Sequence, residues 1–226
     1  MRLLAIETST ILGGVALMQD STLIAESRTC VKVDHSERLM REIDHMLKLA
    51  RISIDDVDVF AAASGPGSFT GLRVGLSAAK GLAYATGKKL VMIPSLEAFA
   101  WNVPFSPYPV CPMFDARKKQ VYAALFKWDG RGFENVMKES ALSVSELLSG
   151  IKEPVIFLGE GAVVYRDIIV SGLGDNALFG APQHMVPSPA NVAHLGMLKA
   201  ISGDYVSPAG AVPLYMRRSE AEMKHG

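Results

Sequence analysis

Two acidic residues, Glu7 and Asp115, stand where short strand-like runs end and polar turns begin. Glu7 follows the apolar run Leu3–Ile6, and Asp115 follows Val110–Phe114. Carboxylates at such positions on two facing lobes could hold magnesium for phosphoryl transfer. Ordinary strand-end acids produce the same pattern. Glu7 and Asp115 are therefore candidate cofactor ligands, and the residues alone predict no bound cofactor.

A glycine-rich segment, Ser64–Gly75, reads SGPGSFTGLRVG. Such a loop at the start of a helix can bind an anion through its free backbone N–H groups. The segment lacks the Gly-Lys-Ser/Thr of a Walker A loop, and its glycines do not have the GxGxxG spacing. Taken alone, it favours a tight turn with a Ser/Thr helix cap over a phosphate site.

Other catalytic chemistries have no matching residues in the sequence. No HxxxH or HExxH spacing occurs, so no pair of imidazoles shares a helix face, and no GxSxG nucleophile motif occurs. Cys30 and Cys111 form no CxxC pair. We therefore predict no catalytic residue and no metal site. The five histidines of the sequence are His35, His45, His184, His194 and His225.

Composition excludes several classes of protein. The 226 residues include 23 Lys+Arg and 23 Asp+Glu, so the formal net charge is zero. A hydrophobic fraction of 49% suits a packed core and excludes a disordered chain. A neutral chain lacks the positive field for binding nucleic acid by charge alone. No apolar run approaches the ~18 residues of a membrane span. With its two isolated cysteines, the chain is expected to be cytoplasmic and to contact no membrane.

The order of apolar and polar runs predicts an α/β protein with two lobes. Short strands joined by hairpin turns come first, then a helix, and then a strand–helix–strand unit. The strand–acid–turn pattern of Glu7 recurs at Asp115, which indicates an internal duplication, although chance could produce the same pattern. The proline-rich segment 101–112 suggests lobes of residues 1–104 and 105–226, with the C-terminal tail packing back on the first lobe.

Two helices, 37–50 and 71–85, carry the predicted partner surface. The first is amphipathic, and the second has one narrow polar stripe, so its apolar circumference exceeds what one sheet covers. Gly75 and its small neighbours would let a partner backbone approach closely. Cover by the second lobe or by the preceding helix is the alternative. The predicted interface residues are Leu39, Met40, Ile43, Met46, Leu47, Gly71, Leu72, Gly75, Leu76 and Ala79.

Four motifs in order make the chain resemble the TsaB (YeaZ) family. They span nearly the whole sequence, and the Gly-Pro-Gly-Ser-Phe-Thr-Gly-Leu-Arg run is highly specific. The motifs are Ile6–Ser9, Gly65–Gly75, Asp115–Tyr122 and Pro213–Arg217. The resemblance implies a two-lobed actin-like, Hsp70-like fold with mixed sheets flanked by helices. Glu7 departs from the Asp often found in this superfamily, which weakens any direct contact with a nucleotide phosphate.

The resemblance also implies a function in making N6-threonylcarbamoyladenosine (t6A) at position 37 of tRNA. In that family the paralogous partner TsaD transfers the threonylcarbamoyl group, and TsaB is its non-catalytic activator. The ATPase TsaE joins through the TsaB–TsaD complex. ATP and a metal are therefore expected on partner proteins and not on this chain. A homodimer is expected when the chain is alone, and tRNA contact only through the complex, with basic residues at 117–119 and 217–218 as minor contributors.

Two other functions remain as alternatives. An ATP-dependent small-molecule kinase of the actin-like superfamily would use Glu7 and Asp115 in a cleft, although the chain is short for such an enzyme. A peptidase is a further alternative, because relatives of this family once carried that label. The sequence offers neither a nucleophile–base pair nor a metal motif for peptide hydrolysis.

Overall fold

The computed structural model describes residues 1–30 and 35–216. Short 3₁₀ turns lie at Ile54–Asp56, Gly174–Asn176 and Pro182–His184. The strands and helices follow one another in this order: β1 (Arg2–Glu7), β2 (Leu12–Gln19), β3 (Thr22–Cys30), α1 (His35–Ala50), β4 (Val59–Gly65), α2 (Phe69–Thr86), β5 (Lys89–Pro94), α3 (Ser95–Ala100), β6 (Val110–Asp115), β7 (Gln120–Trp128), β8 (Phe133–Ser143), α4 (Val144–Ser149), β9 (Val155–Leu158), α5 (Glu160–Val164), α6 (Arg166–Leu173), β10 (Ala177–Phe179) and α7 (Pro189–Ser202).

The chain forms two compact units. Unit 1 comprises Met1–Ala98 and Pro187–Leu214, and unit 2 comprises Phe99–Val186 with the described residues after Leu214. This division differs from the lobes that the sequence predicted, residues 1–104 and 105–226. The boundary lies before the proline-rich segment, and the segment that carries α7 belongs to unit 1. The physical reason is that α7 buries its apolar side on the unit 1 sheet.

Unit 1 contains a five-stranded mixed sheet in the order β3-β2-β1-β4-β5. The first three strands pair antiparallel, and β4 and β5 continue the sheet in parallel. Strand β1 is buried on both faces, which explains its unbroken apolar run. Leu4 and Ile6 point to one face and pack with α1 and α2. On the opposite face, α7 approaches so closely that a Cβ at Gly196 would lie 2.9 Å from Ala61.

Unit 2 contains a second five-stranded sheet in the order β10-β9-β6-β7-β8. One hydrophobic cluster joins β6, β7 and β9 to the helices α4, α5 and α6. An aromatic pair lies elsewhere in the unit, where the Phe99 ring stacks on Phe114 with ring centroids 5.5 Å apart. The cluster residues are Cys111, Met113, Val121, Ala123, Val144, Leu147, Val155, Phe157, Ala162 and Ile169.

The two sheets have the same topology. In each, three antiparallel strands come first in the chain, and two parallel strands are added beside the first of them. Strands β6, β7, β8, β9 and β10 therefore correspond to β1, β2, β3, β4 and β5. The duplication that the repeated strand–acid–turn pattern indicated is confirmed by this common strand order.

No helix in the described part of the chain is both long enough and apolar enough to cross a bilayer.

Candidate partner-binding helix and acidic turns

The Glu7 turn is packed beneath the N-terminal part of α2. The Ser9 N–H donates to Glu7 Oε1 at 2.6 Å, and the Ser68 N–H donates to the Ser9 carbonyl oxygen at 2.6 Å. The Thr8 hydroxyl donates to the Gly71 carbonyl oxygen at 2.8 Å. The Glu7 side chain is 0% exposed. This carboxylate therefore presents no oxygen to a ligand in solution and does not fit the candidate metal–phosphate position.

Burial changes the acidity of Glu7. Removal from water raises the pKa of the carboxyl from its ordinary 4.5 to about 7, and Ser9 opposes this shift only in part. Within the described residues, neither Glu7 Oε2 nor Ser9 Oγ has a hydrogen-bond partner. A buried carboxylate with an unpartnered oxygen is costly when ionised, so the protonated form of Glu7 persists up to about the pH of its raised pKa.

The glycine-rich segment is built for close backbone packing. Gly65 ends β4 with φ of 109°, and a Cβ there would lie 2.7 Å from the Leu214 carbonyl oxygen. The Leu214 N–H in turn donates to the Ser64 carbonyl oxygen at 2.7 Å. Ser68 caps α2 by accepting from the Gly71 N–H at 3.2 Å. The tight capped turn expected here is present, and it holds Leu214 of the C-terminal motif 213–217. Arg217 lies outside the described residues.

The structure corrects the list of predicted interface residues. Met40 is 49% exposed, but the other nine lie buried in unit 1. The apolar stripe of α1 and one side of α2 pack on their own sheet, which leaves these side chains unavailable to a partner. The buried set is Leu39, Ile43, Met46, Leu47, Gly71, Leu72, Gly75, Leu76 and Ala79.

Gly75 shows why the small residues of α2 are needed. A Cβ at Gly75 would collide with Thr8 Oγ1 and would lie 3.2 Å from Ile6 Cγ2. The glycine therefore admits the Glu7 turn of its own unit, and the expected close approach of a partner at Gly75 is wrong. Spacing of four residues predicted a close backbone contact, but it could not show which segment makes it.

A different face of α2 is exposed. Arg73, Ser77, Gly81 and Tyr84 recur at spacings of four, four and three, and Tyr84 is 84% exposed. The Arg73 guanidinium lies 3.8 Å from the centroid of the Phe69 ring. A Cβ at Gly81 would meet no atom within 4 Å. Of the polar stripe predicted from the sequence (Arg73, Ser77, Lys80 and Tyr84), Lys80 departs from this exposed face, because its Nζ donates to the Ala211 carbonyl oxygen at 2.9 Å. The other three lie on it, together with Gly81.

The Asp115 turn in unit 2 remains accessible. Asp115 is half-buried, and its Oδ1 accepts from the Arg117 N–H at 2.9 Å and from the Tyr165 hydroxyl at 3.2 Å. Burial, the Asp115 charge and this hydrogen bond raise the pKa of the Tyr165 phenol. Burial and the Asp115 charge also raise the pKa of Glu160. Asp115, the second candidate acid, therefore uses its Oδ1 to stabilise its own turn.

The backbone of this turn is unusual. Arg117, Lys118 and Lys119 have φ of 59°, 50° and 61°. The left-handed region costs a residue with a side chain roughly 1–2 kcal/mol relative to a right-handed conformation. Three consecutive cations therefore occupy a strained and exposed hairpin tip.

Among residues 1–30 and 35–216, no group of three or more His, Cys, Asp or Glu side chains is arranged to hold a metal ion.

Comparison with known proteins decides the family. The family model described as "TsaD: tRNA N6-adenosine threonylcarbamoyltransferase" matches residues 29–224. The tRNA threonylcarbamoyladenosine biosynthesis protein TsaB of Bacillus subtilis is 34% identical over 227 residues, which cover 99% of this chain and 97% of that protein. The chain belongs to the TsaB (YeaZ) family. The resemblance of the four sequence motifs is thereby confirmed.

Solved structures agree with the fold. A Pseudomonas aeruginosa protein with similarity to peptidase YEAZ aligns with a TM-score of 0.82 at 23% identity, covering 96% of this chain and 99% of that chain. Component A of the (R)-2-hydroxyglutaryl-CoA dehydratase of Acidaminococcus fermentans aligns with a TM-score of 0.50 at 14% identity, covering 89% and 99%. The predicted actin-like, Hsp70-like α/β class is confirmed.

Family membership also gives the chain a coarse function. As a TsaB homologue, it takes part in the synthesis of t6A in tRNA. Ser64, which directly precedes the Gly65–Gly75 run, accepts a hydrogen bond from the Leu214 N–H of the 213–217 motif in unit 1. These motifs therefore build the support of α2.

Proposed function

We propose that this chain is the non-catalytic companion of a TsaD-type transferase and that it supports transfer of the threonylcarbamoyl group to adenosine 37 of tRNA. The observation that carries the proposal is the end-to-end similarity to a protein named TsaB. The buried Glu7 carboxylate adds support, because a kinase of this fold class needs an acid that can reach the nucleotide. The kinase and peptidase alternatives gain no supporting observation.

The partner surface is proposed on the exposed face of α2. Gly81 lies in a helix interior, where glycine costs about 1 kcal/mol relative to alanine. Nothing within unit 1 needs this glycine, because a Cβ there would meet open space. A helix from a partner that packs closely across Gly81 explains why the position lacks a side chain. Tyr84, which is exposed on the same face, supplies apolar area for such a contact.

The remaining partners are proposed from the resemblance to the TsaB family. TsaE would join through the complex of this chain with TsaD, and tRNA would be bound by that complex. ATP and a metal would be used by the partner proteins. The same α2 face would support a homodimer when TsaD is absent, because a two-fold contact hides one patch on both subunits. The assembly is proposed to act in the cytoplasm.

The test is co-purification of this chain with the TsaD-type protein of the same organism, followed by an assay of t6A formation. Gly81→Leu is the informative variant. It should stabilise the isolated chain by about 0.5–1 kcal/mol, because it removes a helix glycine. In the complex, the added side chain should weaken TsaD binding by roughly 5- to 150-fold, which corresponds to an overpacking cost of about 1–3 kcal/mol.

Ser171→Leu on α6 is the matched control, because it also places a leucine on an exposed helical position. The control should leave TsaD binding unchanged. Failure of the unaltered chain to bind TsaD or to support t6A formation would contradict the proposed function. Normal binding by Gly81→Leu would contradict only the location of the interface.

A further inference from the structure

The β6–β7 hairpin ends in a turn whose three cations we name the cationic turn, Arg117–Lys119. The Gln120 N–H donates to the Arg117 carbonyl oxygen at 3.0 Å, and the Ala116 N–H donates to the Gln120 carbonyl oxygen at 2.9 Å. Lys118 and Lys119 are thus the two central residues, and both have positive φ. A hairpin turn of this kind normally takes Asn-Gly or Asp-Gly at these positions.

Other hairpin turns of the same chain follow that preference. The β2–β3 turn places Asp20 at φ of 50°, and the β7–β8 turn places Gly130 at φ of 99°. Only at the β6–β7 turn, among the hairpins in the described residues, do lysines fill the left-handed positions. Backbone requirements therefore do not explain the residue types at the cationic turn.

The turn is held firmly while its charges stay available. Asp115 accepts from the Arg117 N–H and from the Tyr165 hydroxyl, which ties the base of the turn to α5 and α6. The side chains of Arg117, Lys118 and Lys119 are exposed. Within the part of the chain described, none of these three cations forms an ion pair. Adjacent like charges repel one another, so a ligand of closely spaced negative charges would relieve the repulsion.

We propose that the cationic turn binds the phosphate backbone of the tRNA substrate within the complex with TsaD. This inference rests on the proposed function, which supplies the RNA. Lysine contacts a phosphate as a point charge, and arginine can make two parallel hydrogen bonds to it. Such contacts position an RNA without reading its sequence. The turn is then a principal phosphate contact of this chain, beyond the minor contribution expected from the sequence.

The decisive variant is Lys118→Asn/Lys119→Gly, tested in the complex of the full chain with TsaD. It restores the preferred turn residues and removes two charges. We expect the melting temperature of the chain to rise by a few degrees. We expect affinity for tRNA to fall about tenfold at moderate salt, because two phosphate contacts are lost. The slope of log affinity against log salt concentration should decrease by about one for each lysine.

Two further variants separate charge from backbone conformation. Lys118→Gln/Lys119→Gln removes the charges but not the strain, so it should lose the same affinity without the gain in melting temperature. Lys138→Gln/Lys152→Gln removes two exposed charges elsewhere in unit 2 and should bind tRNA normally.

Unchanged affinity and salt slope in the cationic-turn variants, alongside an active unaltered complex, would overturn the proposal. A lowered melting temperature in the Asn-Gly variant would also overturn it, since the lysines would then serve folding. Weakened TsaD binding with unaltered tRNA affinity would identify an acidic protein surface as the ligand instead. If the unaltered chain neither binds TsaD nor supports modification, the proposed function fails, and the assignment of RNA to the turn fails with it.

Discussion

Glu7 and Asp115 end the first strands of two sheets with the same strand order, yet their surroundings differ. Each carboxylate accepts a hydrogen bond from the backbone N–H two residues further along, Ser9 in unit 1 and Arg117 in unit 2. The first turn is buried under the loop before α2, whereas the second is exposed and ends in three cations. A duplicated topology therefore fixes the position of an acid and its local hydrogen bond, but not its access to water.

The helix that follows the fourth strand of each sheet causes this difference in access to water. In unit 1 the long helix α2 and its preceding loop cross the Glu7 turn, with Gly67 and Gly75 shaped to admit it. In unit 2 the corresponding helix α5 spans only Glu160–Val164. Each helix follows a glycine with positive φ, Gly65 or Gly159, so the two connections begin alike.

The largest expected effect on stability comes from disrupting the packing of α2 against the Glu7 turn. Gly75→Leu forces a side chain into Thr8 and Ile6, which lie in the interior and cannot move aside. We expect the free energy of unfolding to fall by about 3 kcal/mol or more. Urea denaturation measures this, with Gly81→Leu on the open face of the same helix as control. Equal stability of the two leucine variants would show that the turn does not pack under α2.

The next effect concerns the protonation of Glu7. The pKa of this carboxyl is near 4.5 in the unfolded chain and is raised by burial to about 7 in the folded chain, so the folded state holds the proton more tightly. Stability that Glu7 contributes is fully present below pH 4.5 and is lost as pH rises towards 7, by about 3 kcal/mol in all. Glu7→Gln, which does not ionise, should lack this loss.

Denaturation measured at several pH values between 4 and 8 tests this expectation. The difference in stability between the original chain and Glu7→Gln should shift in favour of the glutamine variant as pH rises. Asp115→Asn is the control on the exposed turn. A difference that stays constant across the range would mean that Glu7 has an ordinary pKa and that water reaches it.

The smallest effect is expected at the exposed turn. Tyr165→Phe removes the hydroxyl that donates to Asp115, a neutral-to-charged hydrogen bond in a half-buried site. We expect a loss of about 1 kcal/mol in the free energy of unfolding. Tyr122→Phe on β7 removes a phenol from the same unit and should change stability less. A loss as large as that of Gly75→Leu would make the two turns equally important to folding.

Local pattern predicted much of this protein. Strand-ending acids, the capped glycine loop and the amphipathic helix 37–50 all follow from short-range spacing, which determines backbone conformation and side-chain face. The family motifs added the fold class and the coarse function. The same short-range spacing predicted the polar stripe of α2, although Lys80, which was assigned to that stripe, is hydrogen-bonded to Ala211.

The interface residues could not be chosen in this way. Periodicity shows that Leu72, Leu76 and Ala79 share a helix side, but a sheet of the same chain and a partner helix require the same apolar pattern. The positive φ of Lys118 and Lys119 was hidden for a different reason, because lysine carries no preference for such a backbone. The exposure of Gly81 could not be predicted, because a glycine in a helix does not reveal whether its missing side chain would face the interior or solvent.

The sequence by itself determined which residues share a face, where strands end in acids, and to which family the chain belongs, because these depend on neighbours close in sequence or on specific motifs. Only the tertiary structure decided that Glu7 is fully buried while Asp115 is half-buried, and that α2 packs its Gly75 side on its own unit and leaves Gly81 open. Burial depends on which distant segments pack together, and the free energy of that packing is a property of the whole unit.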